Sequence, residues 1–169
     1  STEEHTSVAE RILDRSPCPV LTIHDPSGAP ARLRLRAHPG QPPPEVVVPI
    51  DLTDASAHVL DYAFNLARAF GLFLHVLHVE RALTRPQTHD ETRRWLAGIV
   101  PADLTGRVEC HLEVGEPVER IMNFLCERLP AYAVMGEHAR DFLHRFFTRD
   151  TARQVLHRAP CPVWFVPPR

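Results

Sequence analysis

The residues best equipped for chemistry form four groups. Asp51 and Asp54 stand three apart in "DLTDAS", a spacing that could suggest two carboxylates sharing Mg²⁺. The residue types around them assign one Asp to the end of a strand and the other, or Thr53, to a helix cap. His75 and His78 lie three apart in "LHVLHV". On a strand that spacing sends them to opposite faces, so they cannot chelate one ion together, and both are expected to be packed or hydrogen-bonded. No metal is therefore expected from either pair. His138, His144 and Asp141 share one polar, aromatic segment, where an imidazole–carboxylate pair could act as general base. No nucleophile or water-activating partner is fixed nearby, so neither catalysis nor a weak ATPase is expected. Arg32, Arg34 and Arg36 alternate in "ARLRLRAH" and make a basic stripe on an extended segment, which reads as a charged edge strand rather than an anion site.

Composition narrows the classes. Nineteen basic and 21 acidic residues leave a formal charge of −2, which gives no reason to expect nucleic acid or an anionic membrane as partner. The 44% apolar residues suit a packed core. No apolar stretch approaches the roughly 20 residues of a membrane span. The opening "STEEHTSVAERIL" is acidic and polar rather than a signal peptide, and the expected location is the cytoplasm. Four cysteines (Cys18, Cys110, Cys126, Cys161) show no metal-ligand spacing and read as small buried apolar residues.

The elements that must position these groups are regular from residue 45 onward. "EVVVPI" (45–50) is a β-branched run of the kind covered on both faces. "DASAHVLDYAFNLARAFG" places Val59, Leu60, Ala63, Leu66, Ala67 and Phe70 on one helical face, with Gly71 to end it. Strands are expected at 72–79, 107–115 and 131–136. Helices are expected from about Asp90 to Val100, over "EPVERIMNFLCERL" with Pro117 in the first turn, and over "DTARQVLHRA". A last strand, "CPVWFV", follows. Strands alternating with helices predict an α/β fold, a doubly wound five-stranded parallel sheet with helices on both faces. In that architecture ligands favour the crevice at the carboxyl ends of the strands.

Together, "VVVPIDLTDASAHVLDYAFNLARAFG", "LHVLHVE", "VGEPVERI" and "VMGEH…TARQVLHRAPCPVWFV" resemble the universal stress protein family over Val46–Val166. The resemblance implies a nucleotide pocket at the expected crevice. In the nucleotide-binding branch an Asp ending the first strand contacts adenine, a Val ending the second lines the pocket, and a G-x2-G-x9-G-S/T loop wraps ribose and phosphates. Asp51, Val79 and Met135–Gly136 match. The next loop positions are Ala139, Arg149 and Asp150, so one of three glycines remains and the hydroxyl residue is an acid. Ala139 adds a methyl group where backbone N–H groups must approach phosphate. Arg149 is bulky, although its charge could grip a phosphate differently. Asp150, expected to cap the last helix, sets a carboxylate where the helix dipole favours an anion. His138, Asp141 and Phe142 in "GEHARDFLHRFF" resemble the family's other branch, which does not bind ATP. The expectation is a non-enzymatic stress-response protein with a degenerate pocket and no cofactor; the alternative is a regulatory module holding ATP or AMP with Mg²⁺.

The N-terminal piece repeats the C-terminal one. Val8–Ile23, "VAERILDRSPCPVLTI", aligns without gaps on Thr151–Val166, "TARQVLHRAPCPVWFV", with seven identities in sixteen positions. Ser7 and Asp150 stand one residue ahead of each copy as N-cap types. Residues 1–44 thus read as a remnant-like helix–strand unit with a Pro-rich linker, and 45–169 as the main domain. A unit of about 20 residues cannot bury its apolar face alone. The family's last strand is often the dimer edge. Val20, Leu21 and Ile23 are therefore expected to pair with Val163 and Phe165, in cis as a pseudo-dimer or between chains as a homodimer. A truncated tandem protein is the rival explanation.

Overall fold

The structure is a computed structural model that describes residues 8–13, 15–23, 34–81, 86–136 and 149–167. Ala139, His138, Asp141, Phe142, His144, Arg32 and Ser7 lie outside these residues. Six strands form one sheet: β1 (Val20–Thr22), β2 (Glu45–Ile50), β3 (Phe73–Glu80), β4 (Val108–Val114), β5 (Tyr132–Gly136) and β6 (Val163–Val166). Their order is β1-β6-β5-β2-β3-β4. The five strands from β2 onward are mutually parallel, and β1 is added antiparallel to β6. The expected parallel sheet is present, with one strand more at its edge.

Helices α2 (Asp54–Phe70), α3 (Pro86–Gly98), α4 (Pro117–Arg128) and α5 (Arg149–Arg158) connect the parallel strands, and α1 (Val8–Leu13) precedes β1. The period of two along each strand divides the core. Val46, Val48, Leu74, Val76, Tyr132 and Val134 pack with α2 and Leu96 of α3. Val47, Leu77, Val79, Met135 and Phe165 pack with α4 and α5 on the other face. This is why "EVVVPI" carries no polar residue after its first position: both faces are covered.

Several boundaries differ from the sequence expectation. Helix α3 starts at Pro86 rather than Asp90, because the ring presets a helical φ and lacks an N–H that a first turn leaves unpaired anyway. Helix α5 starts at Arg149, so Asp150 lies in the first turn instead of capping it. Residues 34–38 form no strand. There the Ala37 N–H donates to the Phe70 carbonyl (2.8 Å), which turns the segment over the end of α2, and Arg34 donates to the Pro42 carbonyl (2.9 Å). Only Cys161 is buried among the cysteines; Cys110 is half-buried, and Cys18 and Cys126 are exposed. Burial pushes the Cys161 thiol up to about 12, which keeps it protonated and inert.

The repeated unit docks as a unit. Val20 stands opposite Phe165, Leu21 opposite Trp164, and Thr22 opposite Val163, whose carbonyl also accepts from the Thr22 hydroxyl (3.0 Å). Leu13 of α1 is buried in the cluster of α4 and α5, the same cluster that holds Leu156, its counterpart in the repeat. Ile23, by contrast, lies beyond the ladder and is half exposed.

Candidate functional site

Strand order decides where a crevice opens. From β2 the chain steps outward to β3 and β4, then returns to the other side of β2 for β5 and β6. Connections therefore diverge between β2 and β5, the switch point at which open α/β sheets accept ligands. Asp51 follows the last residue of β2, and Gly136 is the last residue of β5. Val79 and Met135 are buried just below this edge on the α4–α5 face. Arg149 and Asp150 open α5, the helix that follows β5. Topology thus brings Asp51, Val79, Met135, Gly136, Arg149 and Asp150 to the same end of the sheet.

Asp51 is the group there whose local chemistry is best defined. It is 4% exposed. Its Oδ1 accepts from the Thr53 backbone N–H (3.2 Å), the Thr53 hydroxyl (2.6 Å) and the Ser56 hydroxyl (2.5 Å). The Asp51 N–H donates in turn to Ser56 Oγ (3.0 Å). This closed ring of bonds holds Leu52 at φ 61°, a left-handed conformation that costs a branched residue about 1–2 kcal/mol and that the surrounding bonds enforce. Thr53 takes the N-cap position of α2 without a side-chain cap bond, since its hydroxyl is turned back to Asp51. The Asp-x-x-Asp spacing therefore reflects a strand-to-helix turn.

Two further polar groups are buried at this end. His78 directs Nδ1 to the Ile50 carbonyl (2.9 Å), which fixes the tautomer with the proton on Nδ1. Burial pulls its pKa below the usual imidazole value, against the raising effects of that carbonyl, Glu80 and Asp51. Glu80 accepts from the Thr92 hydroxyl (2.5 Å) and pairs closely with His89 Nδ1, tying the end of β3 to α3.

A second polar cluster sits at the amino-terminal ends of the strands, on the α4 face. His75 Nδ1 lies 3.1 Å from His111 Nε2 and 3.5 Å from Glu109 Oε2. Glu109 Oε2 is 3.7 Å from His111 Nε2. The other nitrogen of His75, Nε2, is 3.2 Å from Glu45 Oε2. Phe73 and Phe124 stack around the two rings, and Arg128 lies over the Phe124 face at 5.2 Å. Burial, with Arg128 assisting, pulls both imidazoles below their usual pKa despite the carboxylates. Sequence spacing weighed His75 only against His78. The signal that finds the cluster is cross-strand register, which sets His75 opposite Glu109 and Leu77 opposite His111.

Among the described residues no helix is long and apolar enough to cross a membrane. A search of curated proteins finds no match. Solved structures are similar. A universal stress protein from Archaeoglobus fulgidus in complex with dAMP is 25% identical with a TM-score of 0.56, over 73% of this chain and 97% of that one. Another from A. fulgidus DSM 4304 is 22% identical with a TM-score of 0.54, over 73% of this chain but 44% of that one. A protein of unknown function from Pseudomonas aeruginosa PAO1 is 20% identical with a TM-score of 0.68, over 96% of this chain and 57% of that one. The present chain thus spans about half the length of these last two. The family model described as the universal stress protein family matches residues 44–167, and with the parallel sheet and its switch point this chain belongs to the universal stress protein family.

Proposed function

We propose that the chain is a non-enzymatic, regulatory stress-response module whose nucleotide pocket is degenerate and whose last-strand contact is supplied in cis. The observation that carries the first half is the state of Asp51. The family resemblance assigns this carboxylate to adenine, yet its Oδ1 is engaged three times by Thr53 and Ser56 in its own turn. The sequence departures at Ala139 and Asp150 act in the same direction, while Arg149 replaces a glycine with a bulky group whose charge could serve a phosphate. The antiparallel pairing of β1 on β6 supports the second half: the edge through which such domains often dimerise already has a partner strand. A pseudo-dimer within one chain is the assembly this favours.

Isothermal titration with ATP and Mg²⁺, and separately with AMP, tests the pocket. The expected result is no saturable binding. Binding with a Kd of about 1–10 μM, about −7 to −8 kcal/mol, that Asp51→Ala abolishes would overturn it. One observation favours that second reading, a regulatory module that holds ATP or AMP: the relative bound to dAMP is 25% identical over 73% of this chain. Arg149 is then the residue to grip the phosphates, and Arg149→Ala is expected to weaken the charged nucleotides more than adenosine.

A further inference from the structure

We propose that His75, Glu109 and His111 form a binding site for a divalent transition-metal ion, with Zn²⁺ the ion that best suits their donors and spacing. The donor atoms are His75 Nδ1, His111 Nε2 and Glu109 Oε2, separated by 3.1, 3.5 and 3.7 Å. The point in their plane equidistant from three atoms so spaced lies about 2.0 Å from each. A tetrahedral Zn²⁺ with bonds of about 2.0 Å sits out of that plane, which requires the donors to shift by a few tenths of an ångström. Two imidazoles and a carboxylate are a borderline donor set that suits Zn²⁺ and its neighbours, whereas Mg²⁺ and Ca²⁺ select oxygen.

The support around these ligands is what a metal site requires. Glu45 lies 3.2 Å from His75 Nε2, so the proton rests on Nε2 and the Nδ1 lone pair faces the other two donors. A carboxylate behind a ligating histidine fixes the ring and raises its basicity. Without metal, the His111 Nε2–H donates to His75 Nδ1. With metal, His111 carries that proton on Nδ1, both rings stay neutral, and no proton need leave. The ligands stand on paired strands, β3 and the edge strand β4, rather than on a loop. The His75 side chain is 2% exposed against 53% for Glu109, so an ion would enter past Glu109 and be held against a buried ring. Three protein donors leave the fourth place of a tetrahedral ion to water. Arg128, over Phe124, is a cation that opposes the ion, against the two carboxylates of Glu45 and Glu109. The site lies at the opposite end of the strands from Asp51 and shares no residue with the nucleotide pocket, so the two can be tested separately.

The test uses the whole chain, stripped of metal with a chelator and titrated with Zn²⁺ by calorimetry and with Co²⁺ by visible absorption. One equivalent of Zn²⁺ is expected, with the strong absorption of low-coordinate Co²⁺ and a rise in Tm on loading. Glu109→Gln and His111→Gln, both on the more open side of the cluster, should each weaken binding at least tenfold, and their double variant should abolish the Tm rise. Glu45→Gln should weaken binding about 10–100-fold with one equivalent retained. His157→Gln, on α5, should change nothing, which separates the site from adventitious surface histidines. Circular dichroism of each variant checks folding. If wild type and the double variant take up Zn²⁺ to the same extent and affinity, including no uptake by either, the proposal is overturned.

Discussion

Among the described residues two left-handed residues end helices, one a glycine and one not. Gly71 closes α2 at φ 67° with its N–H on the Ala67 carbonyl, and a Cβ there would meet that of Ala37 at 3.1 Å. Leu129 closes α4 at φ 46° with its N–H on the Leu125 carbonyl, but its side chain is 70% exposed. Leu129→Gly removes a steric penalty and gives up almost no packing, so it is expected to raise stability by about 1 kcal/mol, read as an increase in Tm. Gly71→Ala is the converse and is expected to cost about 1–2 kcal/mol, because the left-handed backbone and the neighbouring Ala37 both resist the added carbon. Equal Tm changes of one sign for both variants would refute this account.

At the scale of elements, the β1–β6 pairing makes a specific prediction. Removing residues 1–23 uncovers the row of backbone groups on β6 and the cluster that Leu13 seals. The shortened chain is expected to melt at lower temperature and to self-associate with concentration, as an unpaired edge invites another strand. Light scattering that shows the same mass for both chains at every concentration would refute it. The same elements show what was legible in the sequence. The run "EVVVPI" and the 3.6-residue rhythm of α2 fix their own identity, because burial on two faces or on one leaves a direct pattern in residue type. The helix–strand repeat revealed β1 for the same reason, as a second copy of a pattern already read. Residues 34–38 misled because alternating arginines describe any extended segment, and only the Phe70 carbonyl decides where this one goes. Asp51 was legible as a position, but its three bonds depend on Leu52 adopting a positive φ, which leucine does not advertise. The His75 cluster was invisible because β3 and β4 meet through register, and register is a relation between strands rather than a property of either.

For the molecule as a whole, buried His78 contributes to a response to acid alongside His75 and His111, whose pKa values burial also lowers. Burial holds its folded-state pKa below the unfolded value near 6.5, against Ile50, Glu80 and Asp51. The neutral form's contribution is fully present above that unfolded value and is lost as pH falls from it toward the folded one. Tm is therefore expected to decline between pH 7 and pH 5, with a smaller slope in His78→Asn; equal slopes would refute the assignment. Asp103, held low by Arg68, titrates below this window and does not confuse it. The edge strand also has a consequence in time. Thr22 and the carbonyl it bonds lie 141 positions apart, so β1 has nothing to pair with until β6 is in place. β1 is therefore synthesised well before the strand it pairs with. Closing so long a loop gains little until its far end is ordered, so β1 is expected to dock late, and a folding phase that disappears when residues 1–23 are removed is the measurement that checks it.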